Sequence, residues 1–172
     1  MSSLFANHPF ERDIVCGLSY RPTPKWNFEF DADYTDWSPL DTITIHQASG
    51  YGSLLSQDIT STLNWKPTWY YKFGATRYLE NGWSVSAGYI CSENAMPNSS
   101  YTPLIADCDR HYLSAGTGYK RGRFEYDIAY QFGFGDSART VSGSTTSATG
   151  QSADGRYFYV SHAILVTIGI HF

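Results

Sequence analysis

Apolar side chains recur at every second position along most of this chain, a period that strands produce and helices do not. Over residues 13–21, Ile14, Cys16, Leu18 and Tyr20 share one parity, and Val15, Gly17 and Ser19 the other. Over 26–37, Trp26, Phe28, Phe30, Ala32 and Tyr34 alternate with Asn27, Glu29, Asp31, Asp33 and Thr35. After Ser38-Pro39 the apolar positions become Ile43 and Ile45, which predicts a bulge in one long strand running to about Gln47. A third strand over 66–78 sets Trp69, Tyr71, Phe73 and Ala75 against Tyr70, Lys72, Gly74 and Thr76. A fourth sets Trp83, Val85, Ala87, Tyr89 and Cys91 against Ser84, Ser86, Gly88 and Ile90. Alternation is weaker over 110–119 and clean again from Phe124 to Phe134. The chain closes with Phe158, Val160, His162, Ile164, Val166, Ile168, Ile170 and Phe172 on one parity, and Tyr159, Ser161, Ala163, Leu165, Thr167, Gly169 and His171 on the other. The pattern predicts an all-β protein of seven strands.

The connections alternate too. PTPK, LENG and KRGR are tight turns, whereas the intervening segments are long, polar and rich in serine, threonine and glycine. Short turns at one end and long loops at the other predict a transmembrane antiparallel β-barrel of the bacterial outer membrane, with the short turns in the periplasm. Trp26, Trp83 and Phe124 each open a strand just after a short turn, the place of an aromatic girdle, and Phe172 falls at the same rim. The charges choose the face. Were the apolar parity turned inward, Glu29, Asp31, Asp33, Glu125 and Asp127 would meet hydrocarbon. A basic side chain there costs about 2–4 kcal/mol and an acid somewhat less, so five are prohibitive. The acidic parity therefore faces a polar lumen, where Lys72 and Arg110 share its side, and charge on the other parity stays near strand ends, as at Asp36 and Arg77. A secreted β-sandwich with the apolar face between two sheets is the alternative.

Composition narrows the classes further. Aromatics reach 17% and charged residues only 16%, a balance suited to contact with lipid. Net charge is −4 with no cluster of Lys or Arg, which leaves nucleic acid no electrostatic foothold. No apolar run approaches the roughly 18 residues of a spanning helix. Cys16, Cys91 and Cys108 are odd in number and lack metal spacing, so neither a disulfide framework nor a zinc site is expected. The first residues carry no basic and apolar signal pattern, so an export signal is expected to be missing from the chain.

No catalytic residue, metal site or cofactor is expected. The sequence has no GxSxG, HExxH or P-loop, and GTGYKRG at Gly116–Gly122 has the wrong spacing for a dinucleotide fingerprint. Glu29, Asp31 and Asp33, two apart on one face, read as a solvated lumen lining rather than a calcium or acid–base site. An outer-membrane barrel hydrolase is the alternative of another class, and outward His111 and His162 are its candidates, without an identifiable serine partner.

The stretches LSYRPTPKWNFEFDADYTDWS, WYYKFGATRYLENGWSVSAGYICSENAMP and DCDRHYLSAGTGYKRG, with the strand ending at Phe172, resemble the C-terminal half of the FadL/TodX family of outer-membrane transporters of hydrophobic compounds. The resemblance implies a 14-stranded barrel of which residues 1–172 form the C-terminal half, lacking the hatch, the first strands and a signal peptide. It implies capture of a hydrophobic small molecule, a long-chain fatty acid or an aromatic hydrocarbon, passage through the barrel, and release into the lipid bilayer. Tyr70, Ile90, Tyr112, Tyr159 and Leu165 are then the candidate ligand lining, while Asp107, Asp109 and Arg110 match a segment expected to anchor an extracellular loop. Seven strands leave two edges, each with roughly five unpaired N–H and five C=O groups in hydrocarbon, at several kcal/mol per group. The expectation is a gene fragment, or else closure by the missing N-terminal half or by self-association of two copies.

Overall fold

The computed structural model describes residues 12–45, 59–105, 107–145 and 152–170. Among the described residues eleven strands form: β1 (Arg12–Thr23), β2 (Trp26–Asp36), β3 (Thr42–Ile45), β4 (Ile59–Thr62), β5 (Thr68–Tyr78), β6 (Trp83–Ser92), β7 (Arg110–Arg121), β8 (Phe124–Gly135), β9 (Arg139–Val141), β10 (Gly155–Tyr157) and β11 (Val160–Ile170). Seven of them make one antiparallel sheet in the order β1-β2-β5-β6-β7-β8-β11, each strand hydrogen-bonded to the next long one along the chain. These are the seven strands the alternation predicts. The sheet does not close on itself, so β1 and β11 are its two edges.

Register carries the period-two pattern across the whole wall. One row runs Leu18, Phe30, Phe73, Tyr89, Leu113 and Phe132, each directly opposite the next. The adjacent parity runs Gly17, Asp31, Lys72, Ile90, Tyr112, Gly133 and Ser161. Because the strands keep this register across the sheet, one face is mainly apolar and the other mainly polar, and a one-residue slip would exchange them. The apolar face is open to its surroundings: Ile14, Leu18, Ile128, Val166 and Ile168 each keep half or more of their surface exposed. An inner face packed against a second sheet would bury these side chains, which sets aside the β-sandwich.

The short turns have local causes. Between β5 and β6, Asn81 (φ 67°) and Gly82 (φ 85°) supply two consecutive positive φ values, the geometry an Asn-Gly pair adopts at low cost. Between β1 and β2 the ladder slips between Tyr20 and Thr23, where Pro22 cannot donate to it.

Two expectations change. The strand expected to run from Trp26 to Gln47 instead ends at Asp36, and Gln47 lies outside the described residues. Asp36 accepts hydrogen bonds from the Ser38 amide (3.1 Å) and hydroxyl, while Leu40 N–H donates to the Trp37 carbonyl at 2.8 Å, so the backbone turns. Beyond it β3 pairs only with β4, as a separate hairpin. The loop expected before the last strand holds a second small hairpin, β9 with β10. Residues 171–172, including Phe172 at the expected periplasmic rim, lie outside the described residues.

Among the described residues the buried apolar core sits in neither face of the wall but in these long connections. Met96, Tyr101 and Val141 are buried together, with Trp65, Ala153 and Tyr157 packed against them.

Candidate functional site

The polar face of the wall carries the candidate residues, and strand register decides which of them meet. Ile90 is opposite Lys72 on β5 and Tyr112 on β7, in a single row. Tyr70 stands one row nearer the long loops, opposite Asp33 and Ser92, with Arg110 beyond Ser92. Tyr159, just before β11, joins these rows: its hydroxyl lies 3.2 Å from that of Tyr112 and donates to Ser161 Oγ at 3.0 Å. Four of the five proposed lining residues thus gather near the long-loop end. Leu165 stands apart, opposite Ala129 and two rows below Ser161.

Charge on this face is held in place. Lys72 Nζ pairs with Asp33 at 2.7 Å and lies 5.2 Å from the centre of the Tyr70 ring. The Arg110 guanidinium pairs with Asp107 at 3.6 Å and covers the Tyr159 ring at 4.8 Å. Gly133 is what lets Tyr112 lie across the wall. A Cβ built there would stand 2.7 Å from the Tyr112 ring and closer still to Ser161 Oγ, so any side chain would displace both. The result is a tyrosine-rich surface with apolar Ile90, bordered by two paired cations, at the mouth of the polar face.

Above it the long loops are joined into a cap. Asp107 Oδ2 accepts from the Ala95 and Met96 amides at 2.8 and 2.9 Å, and Asp109 Oδ1 accepts from the Asn94 amide and side chain at 2.8 and 2.6 Å. Arg139, at the start of β9, donates to the carbonyls of Asp107 and Met96 and to Asn98 Oδ1, and lies over the Tyr101 ring at 4.7 Å. This residue was not among the candidates from sequence. Its only sequence signal is that it is the sole Lys or Arg between Phe124 and Gly155.

One cap contact should respond to acid. Asp154 accepts from the Ser144 hydroxyl (2.7 Å), the Ser144 amide (2.8 Å) and the Gly143 amide (3.1 Å), and these donors hold its carboxyl below the usual carboxylate range. A lowered native value means that the contact stabilises fully above the ordinary carboxylate pKa and weakens as pH falls through the lowered one. Exchange of the Ser144 amide, corrected for intrinsic rate, is therefore expected to stay slow at pH 5–7 and to quicken below about pH 4. An Asp154→Ala variant should exchange fast throughout, and a wild-type rate that ignores pH would refute the assignment.

On the opposite, apolar face, each of the two outward histidines meets a tyrosine. Tyr89 hydroxyl lies 2.7 Å from His111 Nδ1, and Tyr130 hydroxyl 2.5 Å from His162 Nδ1. Cys16 and Cys91 share this face, as their parity predicts.

A family model described as outer membrane protein transport protein (OMPP1/FadL/TodX) matches residues 14–172. The long-chain fatty acid transport protein of Escherichia coli strain K12 is 25% identical over 116 residues, covering 66% of this chain and 25% of its own length. That of Salmonella typhi is 24% identical over 116 residues, with 66% of this chain and 26% of its length covered. The chain thus spans about a quarter of the length of the curated relatives it matches. A crystal structure of a Pseudomonas aeruginosa FadL homologue matches with a TM-score of 0.61 at 17% identity, covering 90% of this chain and 32% of that one. The family description is of a transport protein and not of a hydrolase.

Proposed function

Since this chain belongs to the outer membrane protein transport family (OMPP1/FadL/TodX), a family of outer-membrane barrel proteins and not of enzymes, we propose that it forms part of a barrel that takes up hydrophobic compounds. The observation that carries the reading is the division of one wall into a mainly apolar face and a polar face with a tyrosine-rich patch near the long loops. The apolar face meets lipid and the polar face lines the lumen. Tyr70, Ile90, Tyr112 and Tyr159 offer a ligand aromatic and aliphatic surface with hydroxyls at its margin, and Leu165 continues the lining deeper in the lumen. An apolar solute gains by leaving such a surface for the bilayer and not for water.

The candidate substrates are long-chain fatty acids, as named for the enterobacterial relatives, and aromatic hydrocarbons. Asp107, Asp109 and Arg110 act in the cap, fixing the loop between β6 and β7 over the mouth. The free edges of β1 and β11 require further strands to complete a closed barrel, because open edges in hydrocarbon are costly. Residues 1–172 then form a single C-terminal half-barrel domain.

Uptake of radiolabelled oleate and toluene by cells carrying the assembled barrel tests this reading. Ile90→Glu removes about 1.5–3 kcal/mol of apolar contact, so uptake of the true substrate is expected to fall roughly 10- to 100-fold while the folded fraction on an unheated gel is unchanged. Unchanged uptake of both compounds would overturn the lining assignment.

A further inference from the structure

The lipid-facing wall is not smooth. Near its periplasmic end lies an apolar groove of about 520 Å³, within the roughly 300–1,000 Å³ typical of small-molecule sites. Its floor is the cross-strand pair Ala75 and Ala87, so nothing larger than a methyl group rises from this face there, while Gly74 and Gly88, which also border the groove, have the parity of the polar face. Phe28 flanks the floor on β2, and Phe73 and Tyr89, paired and stacked at 6.3 Å, stand one row above. Ala115 on β7 continues the row beyond Ala87.

A cation stands one row below the groove, outside its lining. Arg77 is two residues beyond Ala75 on the same strand and face, in the row of Trp26 and Val85. Its guanidinium rests over the Trp26 ring at 5.5 Å, and the Trp26 ring stacks on Phe28 at 5.6 Å. Among the described residues no carboxylate pairs with it. Trp26 belongs to the aromatic girdle, so Arg77 sits at the height of lipid head groups and the groove runs up from it into the hydrocarbon.

We propose that this groove is a binding site for one phospholipid of the periplasmic leaflet, with its phosphate on Arg77 and one acyl chain lying over Ala75 and Ala87. The lipid interface supplies the occupant directly, since the groove is part of the wall that faces the bilayer. An acyl chain fills a channel one side chain deep, whereas bulk lipid tails packing at random would leave part of it empty and lose dispersion contacts. Arginine suits phosphate through paired N–H donors, and the indole beneath fixes its orientation. The inference rests on the lipid-facing assignment of this wall and is independent of the uptake reading.

The test is native mass spectrometry of the protein extracted from outer membranes in a mild detergent, with bound phospholipid counted per barrel. The wild type is expected to retain one phospholipid. Ala87→Phe, which fills the groove, should reduce retention at least about tenfold. Arg77→Gln should lower it less, and should do so most for lipids with anionic head groups. Ile164→Phe, on the same face outside the groove, should retain lipid as the wild type does. Undiminished lipid on folded Ala87→Phe, or no retained lipid on the wild type, would overturn the site, and neither result bears on uptake of hydrophobic compounds.

Discussion

Replacing Ile128 with arginine is expected to destabilise the wall by about 2–4 kcal/mol, the cost of a basic side chain near the middle of the lipid face of a barrel. Ile128 lies between Thr117 and Val166 on the apolar face, with 51% of its surface exposed. In a water-soluble protein the same change at a half-exposed position would be close to neutral, within roughly 0.5 kcal/mol. The two environments therefore predict different outcomes for one substitution. Asp127, the preceding residue, faces the lumen, and Asp127→Asn is expected to fold as well as the wild type. Urea titration in lipid vesicles, scored by mobility of the folded form on unheated gels, measures both. An Ile128→Arg variant as stable as the wild type would mean that this face does not meet hydrocarbon.

The second large effect is expected at Arg139. Its guanidinium joins three separate groups of the cap, the Asp107 and Met96 carbonyls and the Asn98 side chain. Arg139→Ala leaves two carbonyls without that charged donor, at about 1.5 kcal/mol each as the lower end of the range for charged hydrogen bonds. The loop between β6 and β7 should then open roughly a hundredfold more often, while the seven-stranded wall, which shares none of these contacts, keeps its stability. Hydrogen exchange of the Met96 and Tyr101 amides measures the opening, and limited proteolysis reports it as faster cleavage. Arg139→Lys should recover only part of the protection, because a single ammonium group cannot reach three divergent acceptors in one fixed fork. Equal exchange in wild type and Arg139→Ala would assign the cap to its small core of Met96, Tyr101 and Val141 alone.

The wall was legible in the sequence because a half-lipid, half-lumen strand repeats every two residues, and five misplaced carboxylates would make the reversed orientation too costly. Seven strands, their faces and the positions of Trp26, Trp83 and Phe124 follow from that one constraint. The cap was not legible. The strands of its hairpins are three or four residues long, too short for periodicity, and lie in segments whose serine, threonine and glycine content reads as loop. The parity change at Ile43 looks like a bulge because a bulge and a new hairpin shift the pattern alike; what separates them is the turn held by Asp36 and Ser38. Among the candidate lining residues, parity puts Tyr70, Ile90, Tyr112 and Leu165 on the polar face, and strand register carries them there. Which of them meet depends on inter-strand register, fixed by turn lengths that parity does not encode. Leu165 falls two rows away for this reason, and Tyr159 comes within reach of Tyr112 because Gly133 leaves room.

The odd number of strands gives the wall a direction. Strands alternate, so in a sheet of seven the first and the last run the same way, and β1 and β11 both descend toward the short turns. Two copies inserted in the same sense would bring a descending β11 beside a descending β1, and both seams would be parallel. Antiparallel seams need a complement with an odd number of strands whose two outermost members ascend. Insertion polarity thus acts as a selection rule: it separates the complement from a second copy before any side chain is compared, and two cross-linked β1–β11 seams in one barrel would have to show parallel pairing.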